Sequence, residues 1–353
     1  MKIYEVPKER RYWVVRSDNG KYYDHFTKYG LVALGHLNFL RVKESFNEDV
    51  SVLDPPILED SFKTYHEERK HKKQRVFAEY GQVKAFIYEM SVGDWVLTVG
   101  NKSIRFGRII SKPFIKNEII SIVYNPQTGD KVDMDYSLRR QVQWGPSILR
   151  GSLPYGLIRS LKANQTVFCL DKNWEAVYHS LYPAFYQEDK LYLSIKITTE
   201  DKIKNFSITA LFNLLNEIEV IGKELALDHS LIESNFDDIY ESYKDADKLS
   251  TTTKAEFHSP GEIWNTILAL SPNIKIDKWV IYTVLGYILL FGNSKLGFDG
   301  VVDLETRKNL WNLLIDRVKT NKAEKAIESL KLEMPTYDTK MLEDDSNDKS
   351  PEL

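Results

Sequence analysis

Apolar residues recur with two different periods along this chain, and the change of period divides it. Short β-branched and aromatic runs dominate the first half: YWVVR (Tyr12–Arg16), GLVALG (Gly30–Gly35), SVGDWVLTV (Ser91–Val99), RFGRII (Arg105–Ile110) and RRQVQW (Arg139–Trp144). Bounded by turn residues, such runs predict buried strands. The Asn19–Gly20 pair predicts a turn, because glycine supplies positive φ, and Tyr22–Tyr29 then reads as a short helix. From Arg41 to about Val83 the pattern changes. After the break at Asp54–Pro56, the run HEERKHKKQR (His66–Arg75) predicts a charged helix leading into VFAEYGQVKAFIYEM.

In the second half the 3.6-residue period takes over. LYLSIKIT (Leu191–Thr198) alternates as a strand. Phe206–Leu225 then places Ile208, Leu211, Phe212, Leu215, Ile218 and Ile221 on one helical stripe, with Ser207 as candidate N-cap. Phe236–Thr253 is polar and expected to be exposed, and Lys254–Ile263 reads as a strand ending in a Ser-Pro-Gly turn. Glu256, His258 and Ser259 lie close together there, but no partner completes a triad and no G-x-S-x-G elbow is present. Trp279–Phe291 is the most apolar stretch, thirteen residues long and short of the ~20 that a spanning helix needs. It reads as a core helix or, with Glu262–Leu270 before it, as a helical hairpin dipping into a bilayer. A long helix follows at Leu304–Leu330, with Leu310, Leu313, Leu314 and Val318 on one face.

A length of 353 residues exceeds what one core organises and predicts two domains. The expected boundaries are 1–183 and 190–332, joined by a hinge at 183–190. From Met334 the chain is acidic and lacks apolar periodicity, so 333–353 is expected to be a disordered tail. Cys169 is the single cysteine, which leaves no intrachain disulfide and no cysteine cluster for zinc; in its apolar strand it is expected to be a buried, inert thiol. The N-terminus lacks the pattern of a secretory leader, which predicts a cytoplasmic protein. Residues 1–183 hold 28 Lys and Arg against 21 Asp and Glu, whereas 184–353 hold 20 against 30. A basic front and an acidic back suit a chain whose first half meets a polyanion.

The order of elements in the first half resembles the PUA-like superfamily, specifically the EVE-like domains of modification-dependent restriction and antiviral proteins. In that family the first strand reads roughly YWxxR, a VxxGDxVLT strand lies mid-domain and an arginine-rich strand ending in Trp comes late. Here these are Tyr12–Arg16, Val92–Thr98 and Arg139–Trp144, and Ser152–Leu170 looks like the closing segment. The resemblance implies an α+β chain: an N-terminal PUA-like β-barrel with flanking helices, then a C-terminal helix-rich α+β domain. It also implies a non-catalytic sensor of nucleic acid in a prokaryotic phage-defence system, reading modified bases in DNA or, less favourably, RNA. A reader of this kind flips a base into an aromatic pocket. By resemblance Trp13 and Trp95 are candidates for its wall, Arg16 and Arg108 for the base or its phosphate, and Arg139 and Arg140 for a backbone clamp. The competing reading makes both tryptophans core, since indoles bury large areas.

Other chemistry is sparse. His66 and His71 are five apart and do not share a helix face as a zinc pair would. Lys70, Lys72, Lys73 and Arg75 read either as a solvated face or as phosphate contacts. Gly297–Asp303 holds two aspartates, but a helix follows where a metal nuclease would place its E-x-K strand. No glycine-rich phosphate loop, cofactor motif or metal site is apparent. The alternative function is an adaptor, docking to a membrane, a protein partner or a second copy through the C-terminal domain and its apolar 262–291 segment. A nuclease without a recognisable motif is the third.

Overall fold

The computed structural model describes residues 3–40, 54–125, 127–162, 165–227, 229, 231, 233–257, 261–268, 276–292 and 304–343. The fold is α+β. The chain forms two compact units: a barrel unit (described residues 9–174 and 338–343) and a helical unit (3–8 and 175–337). The division falls before the expected 183–190 hinge, because Tyr178 and His179 pack with the second unit. Tyr178 lies against Tyr4 and Phe185, and His179 stacks on Trp264.

The chain opens with β1 (Tyr4–Glu5), a strand of the helical unit. The barrel unit then runs β2 (Tyr12–Val15), α1 (Tyr23–Tyr29), β3 (Leu31–Leu34), α2 (Pro55–Glu68) and α3 (Lys73–Lys84). After one wide turn at Ala85–Glu89 come β4 (Trp95–Val99), β5 (Ser103–Ile109), β6 (Phe114–Ile115), β7 (Ile120–Asn125), β8 (Asp130–Met134), β9 (Leu138–Leu149), α4 (Tyr155–Ser160) and β10 (Val167–Cys169). Seven of these strands make one sheet in the order β10-β2-β4-β5-β9-β3, with β6 also on β9, curled into a half-barrel. The five strands expected from the apolar runs are all present. β7 and β8 pair as a separate hairpin.

The Gly-Asp-Trp stretch explains why β2 and β4 lie side by side. Gly93 turns the chain at φ +96°, in the left-handed region that side chains disfavour. Buried Asp94 then accepts from the Ser91 backbone N–H (2.8 Å), the Trp13 indole N–H (3.0 Å) and the Arg11 backbone N–H (3.3 Å). One carboxylate thus ties the turn before β4 to β2.

The helical unit continues with α5 (Trp174–Leu181), β11 (Ala184–Gln187), β12 (Lys190–Ile197), α6 (Asn205–Ala226), α7 (Glu233–Asp245), β13 (Thr252–Glu256), β14 (Gly261–Leu268), α8 (Ile276–Phe291), α9 (Leu304–Thr320), α10 (Glu324–Leu330) and β15 (Leu332–Glu333). Its sheet runs β1-β11-β12-β14-β13, with β15 on β12. The apolar stripe of α6 is core as expected, with Leu211, Leu215, Ile218 and Ile221 buried together with Trp279, Val284 and Ile288 of α8. The helix starts at Asn205, so Ser207 lies inside it rather than at the cap.

Several expectations in this unit change. Glu262–Leu270 is not half of a helical hairpin: Gly261–Leu268 is strand β14, paired on both sides by β12 and β13, with Ile263, Asn265 and Ile267 turned inward. The apolar Trp279–Phe291 stretch is core, and no described helix is long and apolar enough to cross a membrane. The polar Phe236–Thr253 region contains helix α7, anchored by fully buried Phe236. The single long helix expected at 304–330 breaks at Asn321–Ala323, where Lys322 takes φ 54°. The segment expected as a tail from 333 begins with β15 and buried Met334, and residues 338–343 join the barrel unit. His258, Ser259 and Gly297–Asp303 lie outside the described residues.

Buried charge in this unit is fully engaged. Glu219 of α6 accepts from Lys223, from the backbone N–H groups of Ser250 and Thr251 (both 2.8 Å) and from both their hydroxyls. Two residues earlier, on a different face of α6, Glu217 takes two hydrogen bonds from Arg317 of α9, at 3.0 and 3.2 Å. These pairs strap a loop and a helix onto α6, with the donors that buried carboxylates require.

Candidate nucleic-acid interface

The helix expected across His66–Arg75 is interrupted. α2 ends at Glu68, Lys70 adopts φ 56°, and α3 starts at Lys73, so the most basic run of the sequence forms the tip of a helical hairpin. Arg69, Lys70, Lys72, Lys73 and Arg75 fall within seven residues that contain no acid. All five are exposed. Arg69 stacks over Tyr65, with its guanidinium carbon 3.7 Å from the ring centre, and Arg75 pairs with Glu79.

The same break brings together histidines that the spacing alone would keep apart. His66 Nδ1 and His71 Nδ1 are 2.7 Å apart, a hydrogen bond in which one ring donates and the other accepts. His66 also faces the Glu79 carboxylate at 3.7 Å, while Phe62 and Tyr65 pack against its ring. Burial is the largest influence on His66 and lowers its pKa; Glu79 opposes this, and His71, Arg75 and Arg69 add to it. Among the described residues no cluster of three or more His, Cys, Asp or Glu side chains is arranged to hold a metal ion.

Beside this pair, between α2 and α3, lies a groove of about 270 Å³. Val76 and Tyr80 form its apolar floor, and Lys63, Glu67, His71 and Lys73 its polar walls. Phe77 stands at the rim with 61% of its surface exposed, and the Lys63 ammonium lies 5.8 Å from the centre of its ring. The floor is itself anchored: Val76 and Tyr80, with Val83 of the same helix, belong to one core with Trp13 and Val96 of the sheet. The groove therefore sits on a rigid support.

The six residues expected at a base pocket occupy different surroundings. Trp13 and Trp95 are 1% and 0% exposed. The Trp13 indole is bound to Asp94 and covered by Arg11, and the Trp95 indole donates to the Leu342 carbonyl at 3.2 Å beneath Arg10. Both are interior, as the competing reading had it, and neither walls an open pocket. Arg139 and Arg140, expected to clamp a nucleic-acid backbone, hold protein backbone instead. Arg139 donates to the carbonyls of Tyr136 and Glu118. Arg140 donates to those of Phe86 (2.8 Å), Met90 (2.7 Å), Ile87 (3.1 Å) and Ser111 (3.1 Å). The wide turn at Ala85–Glu89 ends a helix, where carbonyls lack intrahelical partners, and the guanidinium satisfies them.

Arg16 and Arg108 are half-buried. Arg16 donates to the Leu161 carbonyl, and Arg108 to the Gln143 side chain at 3.0 Å. Trp95 and Arg108 are cross-strand partners, and none of the six lines the groove between α2 and α3. Cys169 differs from expectation in the other direction. It is exposed, on edge strand β10, with Arg11 Nη2 3.6 Å from its sulfur. Its pKa is raised, first by desolvation and then by Asp171, which keeps it a thiol rather than an activated thiolate.

The groove was not found by sequence reasoning, although one signal pointed to it. In α3 the buried positions Val76, Tyr80 and Val83 define the inner face, and Phe77 is a large apolar residue off that face. The chain matches no family model, no curated protein and no solved structure.

Proposed function

We propose that this chain is a non-catalytic nucleic-acid-sensing protein whose barrel unit makes the contact through the tip of the α2–α3 hairpin. The observation that carries the reading is the run Arg69–Arg75, five exposed cations of which Arg75 is paired with Glu79, beside a groove with an exposed aromatic at its rim. Cations of this kind bind phosphates and fix register without reading sequence. The resemblance in the strand motifs favours DNA as the ligand and phage defence as the setting. The PUA-like assignment of the half-barrel and the sensing of modified bases belong to this proposal. The buried positions of Trp13 and Trp95 give a flipped-base pocket at those residues no support.

The test is binding of the full chain to short duplexes, unmodified, cytosine-methylated, hydroxymethylated and adenine-methylated, at two salt concentrations. Affinity should fall steeply with salt. Combined Lys70→Ala, Lys72→Ala and Lys73→Ala substitution should weaken binding to every duplex and flatten the salt dependence, by a slope of about 0.9 for each phosphate that is no longer neutralised. Absence of binding at low salt would overturn the reading.

A further inference from the structure

We infer that the α2–α3 groove takes one unpaired base of a single strand, stacked on Phe77, with the flanking phosphates held by Lys63 and Lys73. The inference rests on the nucleic-acid reading above and adds what that reading leaves open, the class of nucleic acid and the part of it that enters the protein.

Three features of the groove suit a base. The first is shape. At about 270 Å³ between two packed helices it lies just below the ~300–1,000 Å³ of drug-sized small-molecule sites. A base and its sugar match that scale, and a duplex is far too wide to enter. The second is the flat surface at the rim. Phe77 leaves 61% of its area in water beside an apolar floor of Val76 and Tyr80, although the inner face of α3 is buried. Stacking on exposed aromatics is how strands are held independently of sequence, and it needs an unpaired base because pairing keeps the faces inside the duplex.

The third feature is the distribution of charge. Lys63 comes from α2, where it also pairs with Glu59 at 2.6 Å and would have to share its ammonium with a phosphate. Lys73 comes from the start of α3, so cations stand on both walls, where the backbone of a strand crossing the groove would run. Between them is one carboxylate, Glu67. A carboxylate repels phosphate, and its use in such a groove is to accept from an exocyclic amino group, as on cytosine N4. Thymine presents a carbonyl at the corresponding position and would face Glu67 acceptor to acceptor. His71 completes the polar wall. Its Nδ1 is engaged by His66, so the ring meets a ligand through Nε2. The groove should therefore favour cytosine over thymine in a single strand.

Fluorescence polarisation of labelled oligodeoxycytidine, oligothymidine and a mixed-sequence duplex, with the full chain at low and high salt, tests this. Single strands should bind more tightly than the duplex, and oligodeoxycytidine more tightly than oligothymidine. Phe77→Ala should weaken single-strand binding roughly ten-fold, the loss of one stacked base, and leave the salt slope unchanged. Phe77 is exposed, so the variant should keep the wild-type melting temperature. Glu67→Gln should bring the cytosine and thymine strands to equal affinity. Equal binding of duplex and single strands, or Phe77→Ala binding single strands as wild type does, would overturn the inference and leave the phosphate reading standing. No binding to any of the three would overturn both.

Discussion

His66 and His71 meet Nδ1 to Nδ1 at 2.7 Å across a helix break, on the inner side of the basic tip they help to shape. Such a contact uses one proton between two nitrogens. Charging both rings would set two N–H groups against each other.

The sign of the resulting pH dependence follows from burial. The His66 pKa lies below its ordinary 6.5, so the unfolded chain takes up the proton more readily than the folded one. Its contribution to stability is complete above about 6.5 and is lost as pH falls below that value. Half-buried His36 is lowered in the same direction, also chiefly by burial. In a proton NMR titration the His66 ring should show a midpoint below 6.5, and His71→Ala should move it upward by admitting water. A wild-type midpoint at or above 6.5 would contradict the argument.

Glu262 in the helical unit acts in the opposite sense. Its carboxyl, 9% exposed, accepts from the Trp264 indole at 2.9 Å and is pushed up from 4.5 to about 7, first by burial. The folded state therefore keeps a proton that the unfolded state releases, and stability declines as pH rises from 4.5 to 7. Glu262→Gln retains an acceptor without the charge. Relative to wild type it should gain on the order of 2–3 kcal/mol in urea unfolding between pH 5 and 7.5, because a tenfold difference in proton affinity between the two states is worth about 1.4 kcal/mol. Parallel pH profiles for the two proteins would refute it.

Arg317 and Glu217 are 4% and 3% exposed, and Asn321 adds a 2.6 Å bond to the same carboxylate. Removing one member leaves an uncompensated buried charge. Arg317→Met should cost about 3–5 kcal/mol, and the double variant with Glu217→Leu should recover most of it. A double-mutant cycle by chemical denaturation reads the coupling.

At Gly222, α6 passes close to Thr283 of α8. A Cβ there would stand 2.0 Å from Thr283 Oγ1 and 3.0 Å from its Cβ. Gly222→Ala should destabilise by about 1–3 kcal/mol despite alanine's better helix propensity. Thr283→Ala should return part of the loss, and thermal unfolding of the single and double variants checks this.

Arg140 separates a structural from a ligand-binding role. Arg140→Met strips donors from four carbonyls and should cost about 3 kcal/mol or more in stability. The nucleic-acid affinity of the variant that remains folded should equal that of wild type. A selective loss of affinity with unchanged stability would return Arg140 to the interface.

The strands were legible because period and composition agree there: Tyr12–Val15 and Trp95–Val99 are β-branched and aromatic, and both are buried. The stripe of α6 was legible for the same reason. Gly261–Leu268 was misread because a short apolar run with a few polar residues fits either period, and sheet position decides between them. The break at Arg69–Lys72 contains neither Gly nor Pro. It depends on Lys70 accepting a left-handed conformation and on the contact between the two histidines, which no local pattern announces. The roles of Arg139 and Arg140 were hidden for a related reason: an arginine beside orphan carbonyls and one beside a phosphate have the same local sequence.

The short returning segment at 338–343 has a consequence for biosynthesis. Trp95 leaves the ribosome almost 250 residues before Leu342, whose carbonyl receives its indole proton, and Tyr4 leaves about 180 residues before Phe185, its strand partner. The unit that carries the basic tip is thus finished only after the helical unit has been translated. A messenger cut short after Tyr337 would yield a barrel without its last piece, and a gene fragment ending at residue 183 would be no self-sufficient cassette.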